Sequence, residues 1–382
     1  MNAPLDGLII LDLTHVLAGP YASMTLSDLG ARVIKVERPG LGDDTRAFPP
    51  FKDSESAYFA TINHGKESIA LDLKNVDDRI VFEELLLRSD VVLENYRPGV
   101  MERLGYGWDD LHTKYPKLIY GAVSGFGHSG PDSQRPAYDM VVQARGGVMS
   151  ITGERDREPV RVGASIGDIA AGMFLAQGIL AALLHRQQTG VGQKVDIAML
   201  DCQLAMLEHA IALTTISGEA PRPSGARHPS ITPFETFHAS DGLFVIAAGN
   251  DVLFARLCEA LRLPIAEDER FATNPARCEN ARLLKRLIEA VTLEKGKQHW
   301  IDLLTEAGIP TGPIQNVAEV LKDPQIRARN MVVDVLDQAG KPAYVAAGNP
   351  IKMSALADPS TRPPAPKLDA HRQEILDWLE SS

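Results

Sequence analysis

The sequence predicts an α/β protein with a large parallel-sheet domain and a smaller α+β domain. Three observations carry that expectation. Short apolar runs alternate with amphipathic helical runs through the first half of the chain. A Gly/Pro/Ser-rich stretch, "SGEAPRPSGARHPS", interrupts the pattern near residue 218. A hairpin-like segment and three helical segments follow it.

Taken in order, "GLIILDLT" (7–14) is a continuous apolar run and reads as a strand buried on both faces. "YASMTLSDLG" (21–30) reads as a helix opened after Pro20 and closed by Gly30, and "ARVIKVE" (31–37) as the next strand. These make a βαβ unit, so the large domain is expected to be Rossmann-like. "SIALDLK" (68–74), the helical "DDRIVFEELLLRS" (77–89), "DVVLENY" (90–96) and "LIYGAVSGF" (118–126) continue the alternation. A buried helix near 166–187 leads to the strand "KVDIAML" (194–200) and a further apolar helix from Asp201. Beyond the linker, "FETFHASDGLFVIAAGN" reads as a hairpin, followed by helices in "DVLFARLCEALRL", "ARLLKRLIEAVTL" and "GKQHWIDLLTEAG". The large domain is therefore placed at 1–220, completed by 326–382, and the small α+β domain at 221–325. The Pro-rich tail ends in a short helix, "RQEILDWLE".

Composition narrows the function. With 382 residues, 45% of them hydrophobic and 23% charged, the chain is an ordinary globular sequence rather than a disordered one. A net charge of −11 argues against nucleic acid as a partner. The three cysteines have no C-x-x-C spacing, so neither a disulfide framework nor a metal site is expected, which fits the cytoplasm. No basic stretch precedes the first apolar run, so a signal peptide is not expected. The long apolar helix carries Asp168 and Gln177, which favours burial in protein over a membrane span. Glu37 ends the second strand, where a dinucleotide-binding protein keeps its ribose acid. The preceding turn, "THVLAGPYAS", has one glycine and no G-x-G-x-x-G, so NAD is not expected.

The segment "RPAYDMVVQARGG" (135–147) places a single carboxylate, Asp139, among residues that read as buried. An ionised carboxylate is costly to desolvate without partners. Locally, Asp139 reads as an N-cap for a helix beginning at Met140. Several stretches give it a second reading. "LDLTHVLAGPYAS", "GARVIKVERPGLGDDTR", "NHGKESIALDLK", "ENYRPGVMERLGYGWDDL", "SGFGHSGPDSQRPAYDMVVQARGG", "RQQTGVGQKVDIAMLD" and "GIPTGPIQNVAEVLKDPQI" together resemble the family III (CaiB/BaiF-type) CoA-transferases, in family order from about residue 7 to 335. "GDDTRAFPPF", "SITPFETF" and "AAGNDVLF" resemble the succinate–hydroxymethylglutarate CoA-transferase branch.

The resemblance implies an interlocked homodimer that moves CoA from an acyl-CoA to a small carboxylic acid, with succinyl-CoA as donor and a dicarboxylate as acceptor. Coenzyme A is then a substrate, and no cofactor, metal or membrane is required. It assigns Asp139 as the covalent nucleophile, flanked by Tyr138. Coenzyme A carries phosphates, and the family matches nominate Arg38, Lys66 and Arg103 for them, with Arg97 as a neighbour. Asn95, Tyr96 and the backbone at Ala18 would line the CoA channel. Gly249 and Asn250 occupy the place of a glycine-rich loop. Arg46, Arg227 and His228 are candidates for the acceptor's distal carboxylate. Leu17 stands where a formyl-CoA enzyme has glutamine, which lowers the case for oxalate, and His15 flanks the same turn. The same fold serves an α-methylacyl-CoA racemase, to whose second aspartate Asp168 corresponds, and a CoA-binding protein without activity is a further alternative. Tyr138 precedes Asp139 where the racemase needs histidine, and a phenol is a poor proton shuttle at neutral pH.

Overall fold

The computed structural model describes residues 3–381 and divides the chain into two compact units. The first comprises Met1–Val148, Arg161–His209 and Pro324–Ser382; the second comprises Met149–Val160 and Ala210–Asp323.

In the first unit, β1 (Ile9–Asp12), α1 (Ala18–Asp28) and β2 (Arg32–Glu37) form the βαβ motif. Helix α1 starts before Pro20, because the N–H groups of a helix's first turn have no intrahelical partner and proline loses nothing there. Gly30, at φ +107°, turns the chain out of it. Helix α2 (Ala57–Asn63) precedes β3 (Glu67–Ala70), and α3 (Val76–Leu87) precedes β4 (Val91–Glu94). Asn75 caps α3 by accepting the N–H groups of Asp77 and Asp78. β5 (Ile119–Ser124), α4 (Asp139–Arg145), α5 (Ile166–Thr189), β6 (Lys194–Ala198) and α6 (Met199–Ala205) complete the run.

The six strands pair in parallel in the order β3-β2-β1-β4-β5-β6. Neighbouring residues on a strand face opposite sides. Ile10, Val33, Leu93 and Val123 accordingly pack with Leu26 of α1 and Leu175 and Ile179 of α5. Leu11, Ile34, Val92 and Tyr120 pack with Phe82 and Leu85 of α3. Both faces are covered, as a parallel sheet requires. α5 is long and apolar enough to cross a membrane, with half of its apolar stretch buried in this core.

The second unit has its own core. β7 (Phe234–Ala239) and β8 (Gly242–Ala247) form an antiparallel hairpin, and β9 (Thr311–Pro313) adds to β8. α7 (Asp251–Ala260), α8 (Ala281–Thr292) and α9 (Lys297–Glu306) pack on it through Leu257, Ile288 and Trp300. Back in the first unit, α10 (Arg372–Glu380) joins the α3 face through Ile375.

Candidate active site

The strand order reverses at β1, whose chain leaves to β2 on one side while β4 lies on the other. Ligands of open parallel sheets bind outside the carboxyl ends of the strands at such a switch point. A cleft of about 410 Å³ lies there, lined by His15, Val16, Leu17 and Ala18 after β1, and by Asn95, Tyr96, Arg97 and Pro98 after β4. Ser124, Gly125, Arg135, Tyr138 and Asp168 close it.

The turn after β1 is rigidly held. Asn95 braces it with both ends of its amide, Oδ1 accepting the His15 N–H at 2.9 Å and Nδ2 donating to the His15 carbonyl at 2.7 Å. Val16 sits at φ +66°, a region that β-branched residues avoid. Such strain persists only where surrounding contacts over-determine the backbone. Here the Val16 N–H donates to Asp43 Oδ1 at 3.2 Å, and Asp43 is held by Lys35 at 3.0 Å. The Lys35 ammonium also donates to the Thr14 carbonyl at 2.7 Å. On the β4 side, buried Glu94 accepts the Tyr96 N–H at 2.8 Å and the Tyr120 hydroxyl at 3.0 Å.

Beneath the turn lies a closed set of buried charges. Asp12 accepts from the Thr14 N–H at 2.9 Å, from Ser23 at 2.6 Å and from Lys66 at 3.0 Å. These donors and the two lysines outweigh burial and hold its carboxyl far below the usual range. Lys35 faces Asp12 and Asp43, which raise its proton affinity. Lys66 loses more to burial and to repulsion from Lys35 than Asp12 restores, and falls to about 8.

This corrects the assignment of Lys66 to the CoA site. Its ammonium is fully buried and satisfied by Asp12, Ser23 at 2.8 Å, Asn63 at 2.8 Å and the Pro20 carbonyl at 3.2 Å, and it does not line the cleft. Arg46 is likewise committed elsewhere. It grips buried Glu37 with two nitrogens at 2.8 and 2.6 Å and stacks over Phe59 at 3.8 Å. Glu37 also accepts from Ser68 at 2.6 Å, so its carboxylate is fully engaged.

Other expected positions divide in two. Ala18, Asn95, Tyr96, Arg97 and Tyr138 line the cleft, whereas Arg38 and Arg103 are exposed residues outside its wall. Arg38 reaches it indirectly, by pairing with Asp44 on the rim. Gly249, Asn250, Arg227 and His228 belong to the second unit. There Asn250 caps α7 by accepting the Leu253 N–H at 2.9 Å, and His228 stacks on Phe234.

The largest correction concerns the two aspartates. Asp139 does not cap its own helix, whose N-cap is Tyr138. Its Oδ1 instead accepts the Gly167 N–H of α5 at 2.8 Å, and its Oδ2 accepts Gln143 Nε2 at 2.7 Å. Gln143 is fully buried, and its own Oε1 accepts the Val162 N–H at 2.9 Å, which fixes which way the amide points. Both oxygens of Asp139 are thus occupied, and Asp139 is not among the residues lining the cleft. Nor is its surrounding run buried throughout: Tyr138, Met140 and Val141 are exposed, while Val142, Gln143 and Gly146 are buried.

Asp168, in the first turn of α5, does line the cleft, and its carboxylate has no hydrogen-bond partner among the described residues. Burial and the negative charge of Asp139 push it up to about 7. Tyr58 of α2 shares this field, and its hydroxyl is pushed up by burial and by Asp168, Asp43 and Asp139. Sequence reading gave Asp168 only as the counterpart of a racemase aspartate, and its place on the cleft wall was not legible there. The available signal was that a long apolar helix begins with a carboxylate next to glycine, with no basic residue within four positions to pair it.

A doubly covered parallel sheet with a polar cleft at its switch point, walled by carboxylates, arginines and backbone turns, is the arrangement in which α/β enzymes bind their ligands. The chain matches CoA-transferase family III over residues 5–372, and it belongs to that family. It is 46% identical over 370 residues to the acetyl-CoA:oxalate CoA-transferase of Acetobacter aceti, covering 96% of this chain and 94% of that one. It is 42% identical over 384 residues to the succinyl-CoA:mesaconate CoA-transferase of Haloarcula hispanica, covering 98% and 96%. A solved CAIB/BAIF family protein from Brucella suis superposes with a TM-score of 0.87 at 39% identity, covering 99% of this chain and 100% of that one.

Proposed function

We propose that this enzyme moves CoA from succinyl-CoA to a small dicarboxylic acid through a covalent acyl intermediate on Asp168, the role first assigned to Asp139. The observation that carries the reading is a partly buried carboxylate facing the cleft with no hydrogen-bond partner. Such an anion is poorly stabilised at rest and correspondingly nucleophilic.

The Asp168 carboxylate attacks the thioester carbonyl, and the C–S bond breaks to give an acyl-aspartyl anhydride and the CoA thiolate. The thiolate attacks the aspartyl carbonyl, releasing the first acid and leaving an aspartyl-CoA thioester. The incoming carboxylate attacks that carbonyl and expels the thiolate. The thiolate then takes the new acyl group, which restores Asp168. Each step exchanges one acyl bond for another of similar energy, so the thioester is conserved as long as water is excluded.

Ala18, Asn95, Tyr96 and Arg97 are proposed to hold the pantetheine and phosphate groups of CoA, with Arg38 and Arg103 near the opening. Support for a dicarboxylate comes from the relatives' names, which include oxalate, mesaconate and, for an enzyme of Agrobacterium fabrum, glutarate. The oxalate relative's name supports keeping that acid among the acceptors, although Leu17 stands where a formyl-CoA enzyme has glutamine. We also propose a cytoplasmic homodimer, in which a second copy covers apolar side chains such as Met140, Met173 and Leu184, all exposed in the single chain.

The test is exchange of ¹³C-succinate into succinyl-CoA, with hydroxylamine added to capture the acyl-enzyme. Asp168→Ala is expected to lower exchange by more than about 10³-fold while the protein still folds. Peptide mass analysis should find the hydroxamate at Asp168. A hydroxamate at Asp139, or retained exchange in Asp168→Ala, rejects the reading.

A further inference from the structure

A dicarboxylic acid must be held by the carboxylate that does not react, and a cation with paired donors matches such a group best. The cleft wall offers two guanidinium groups, Arg97 and Arg135, against the anions Asp44 and Asp168. His15 on the same wall adds no third cation, because burial lowers its proton affinity.

The two arginines sit differently. Arg97 follows Asn95 and Tyr96 at the end of β4, beside the braced turn after β1. Arg135 lies in the loop between β5 and α4, four residues before Asp139. The two ends of that loop touch, leaving no room for a Cβ on Gly125 against Ala137. Asp139 in turn holds the N–H of Gly167, the residue before Asp168. Arg135 is thus the wall arginine whose chain leads directly to both aspartates.

Its charge is oriented but not cancelled. The Arg135 N–H donates to the Asp132 carbonyl at 2.9 Å, and its Nε lies 3.0 Å from Asp132 Oδ1. Asp132 is shared: Arg145 of α4 donates to its Oδ2 at 2.6 Å while stacking over Phe126. One carboxylate therefore serves two guanidinium groups, and one positive charge stays unbalanced. The Arg145 hydrogen bond does most to hold the Asp132 carboxyl below its usual range, so the surplus falls on Arg135. The Arg135 side chain is 65% exposed, and its two Nη groups have no partner among the described residues.

We propose that Arg135 selects the acceptor, its open Nη pair binding the far carboxylate of a dicarboxylic acid while the near carboxylate reacts. The inference rests on the dicarboxylate reading and is independent of which aspartate carries the acyl group. Asp132 aims the fork through Nε and leaves its other edge to the ligand. The succinyl group of the donor carries the same far carboxylate, so the site serves both halves of the exchange.

The test measures kcat/KM for two acceptors with succinyl-CoA as donor: glutarate, and valerate, which has the same number of carbons but one carboxylate. In a double displacement this constant reports capture of the acceptor by the loaded enzyme, so donor binding drops out of it. The wild type is expected to prefer glutarate. Arg135→Gln should lower kcat/KM by about tenfold to a hundredfold for glutarate and by less than about threefold for valerate. Arg135→Lys keeps the charge but loses the fork, and should fall between. Hydroxylamine, a nucleophile without a far carboxylate, takes the place of valerate where valerate turnover is too slow to read. Equal losses on both acceptors overturn the inference and assign Arg135 to CoA binding or to the loop's structure. A wild type that takes valerate as readily as glutarate rejects the dicarboxylate reading itself, and the inference with it.

Discussion

Two aspartates at the carboxyl-terminal side of one sheet meet opposite fates. Asp12, at the end of β1, is surrounded by hydroxyl, amide and ammonium donors, and its proton affinity collapses. Asp168, at the start of α5, receives no hydrogen bond among the described residues, faces another carboxylate and rises to about 7. Burial acts in the same direction on both. The difference lies in what replaces the lost water. Where donors replace it, the carboxylate stays ionised; where none do, it holds its proton to higher pH.

Breaking the scaffold side should have the largest effect on stability. Lys66→Ala leaves Asp12 charged and underpaired in a closed interior, and is expected to cost about 3–5 kcal/mol. Thermal or urea unfolding reads this directly. A loss below about 1 kcal/mol would mean that Asp12 takes up a proton cheaply, which contradicts the contrast drawn here.

The carboxylate without donors should respond in the opposite direction. Asp168 binds its proton more tightly in the folded protein, at about 7, than in the unfolded chain, near 3.8. Its contribution to stability is therefore fully present below pH 3.8, declines as pH rises toward 7, and is absent above that. Asp168→Asn removes the ionisable group, so it should raise the melting temperature by about 2–5 °C at pH 8 and by much less at pH 5. An equal shift at both values would show that the gain has another origin.

The smallest effect is expected at the rim. Arg38 and Asp44 are both about half exposed, and an ion pair in that setting contributes about 0–1 kcal/mol. Arg38→Ala should leave unfolding almost unchanged. If Arg38 meets a CoA phosphate, the same variant raises KM for succinyl-CoA without lowering kcat, and salt weakens the wild type's advantage.

The parallel sheet, the second α+β core and the cleft-lining turns were legible in the sequence, because apolar runs and helical periods report local burial. Ala18, Asn95, Tyr96 and Tyr138 line the cleft because each sits just beyond a strand end or helix start that the pattern already marked. The partners of Lys66, Arg46 and Asp139 were not legible, for one shared reason. A charged side chain declares its chemistry but not its partner, and those partners lie far away in sequence: Asp12 for Lys66, Glu37 for Arg46, Gly167 for Asp139.

What the sequence determined by itself was the order of the layers and where the chain turns between them. Tertiary structure alone decided which donors each buried or half-buried carboxylate receives. Hydrogen-bond donors quench a charge only within about 3 Å, and which donors come that close depends on how distant segments pack, a relation no local pattern encodes.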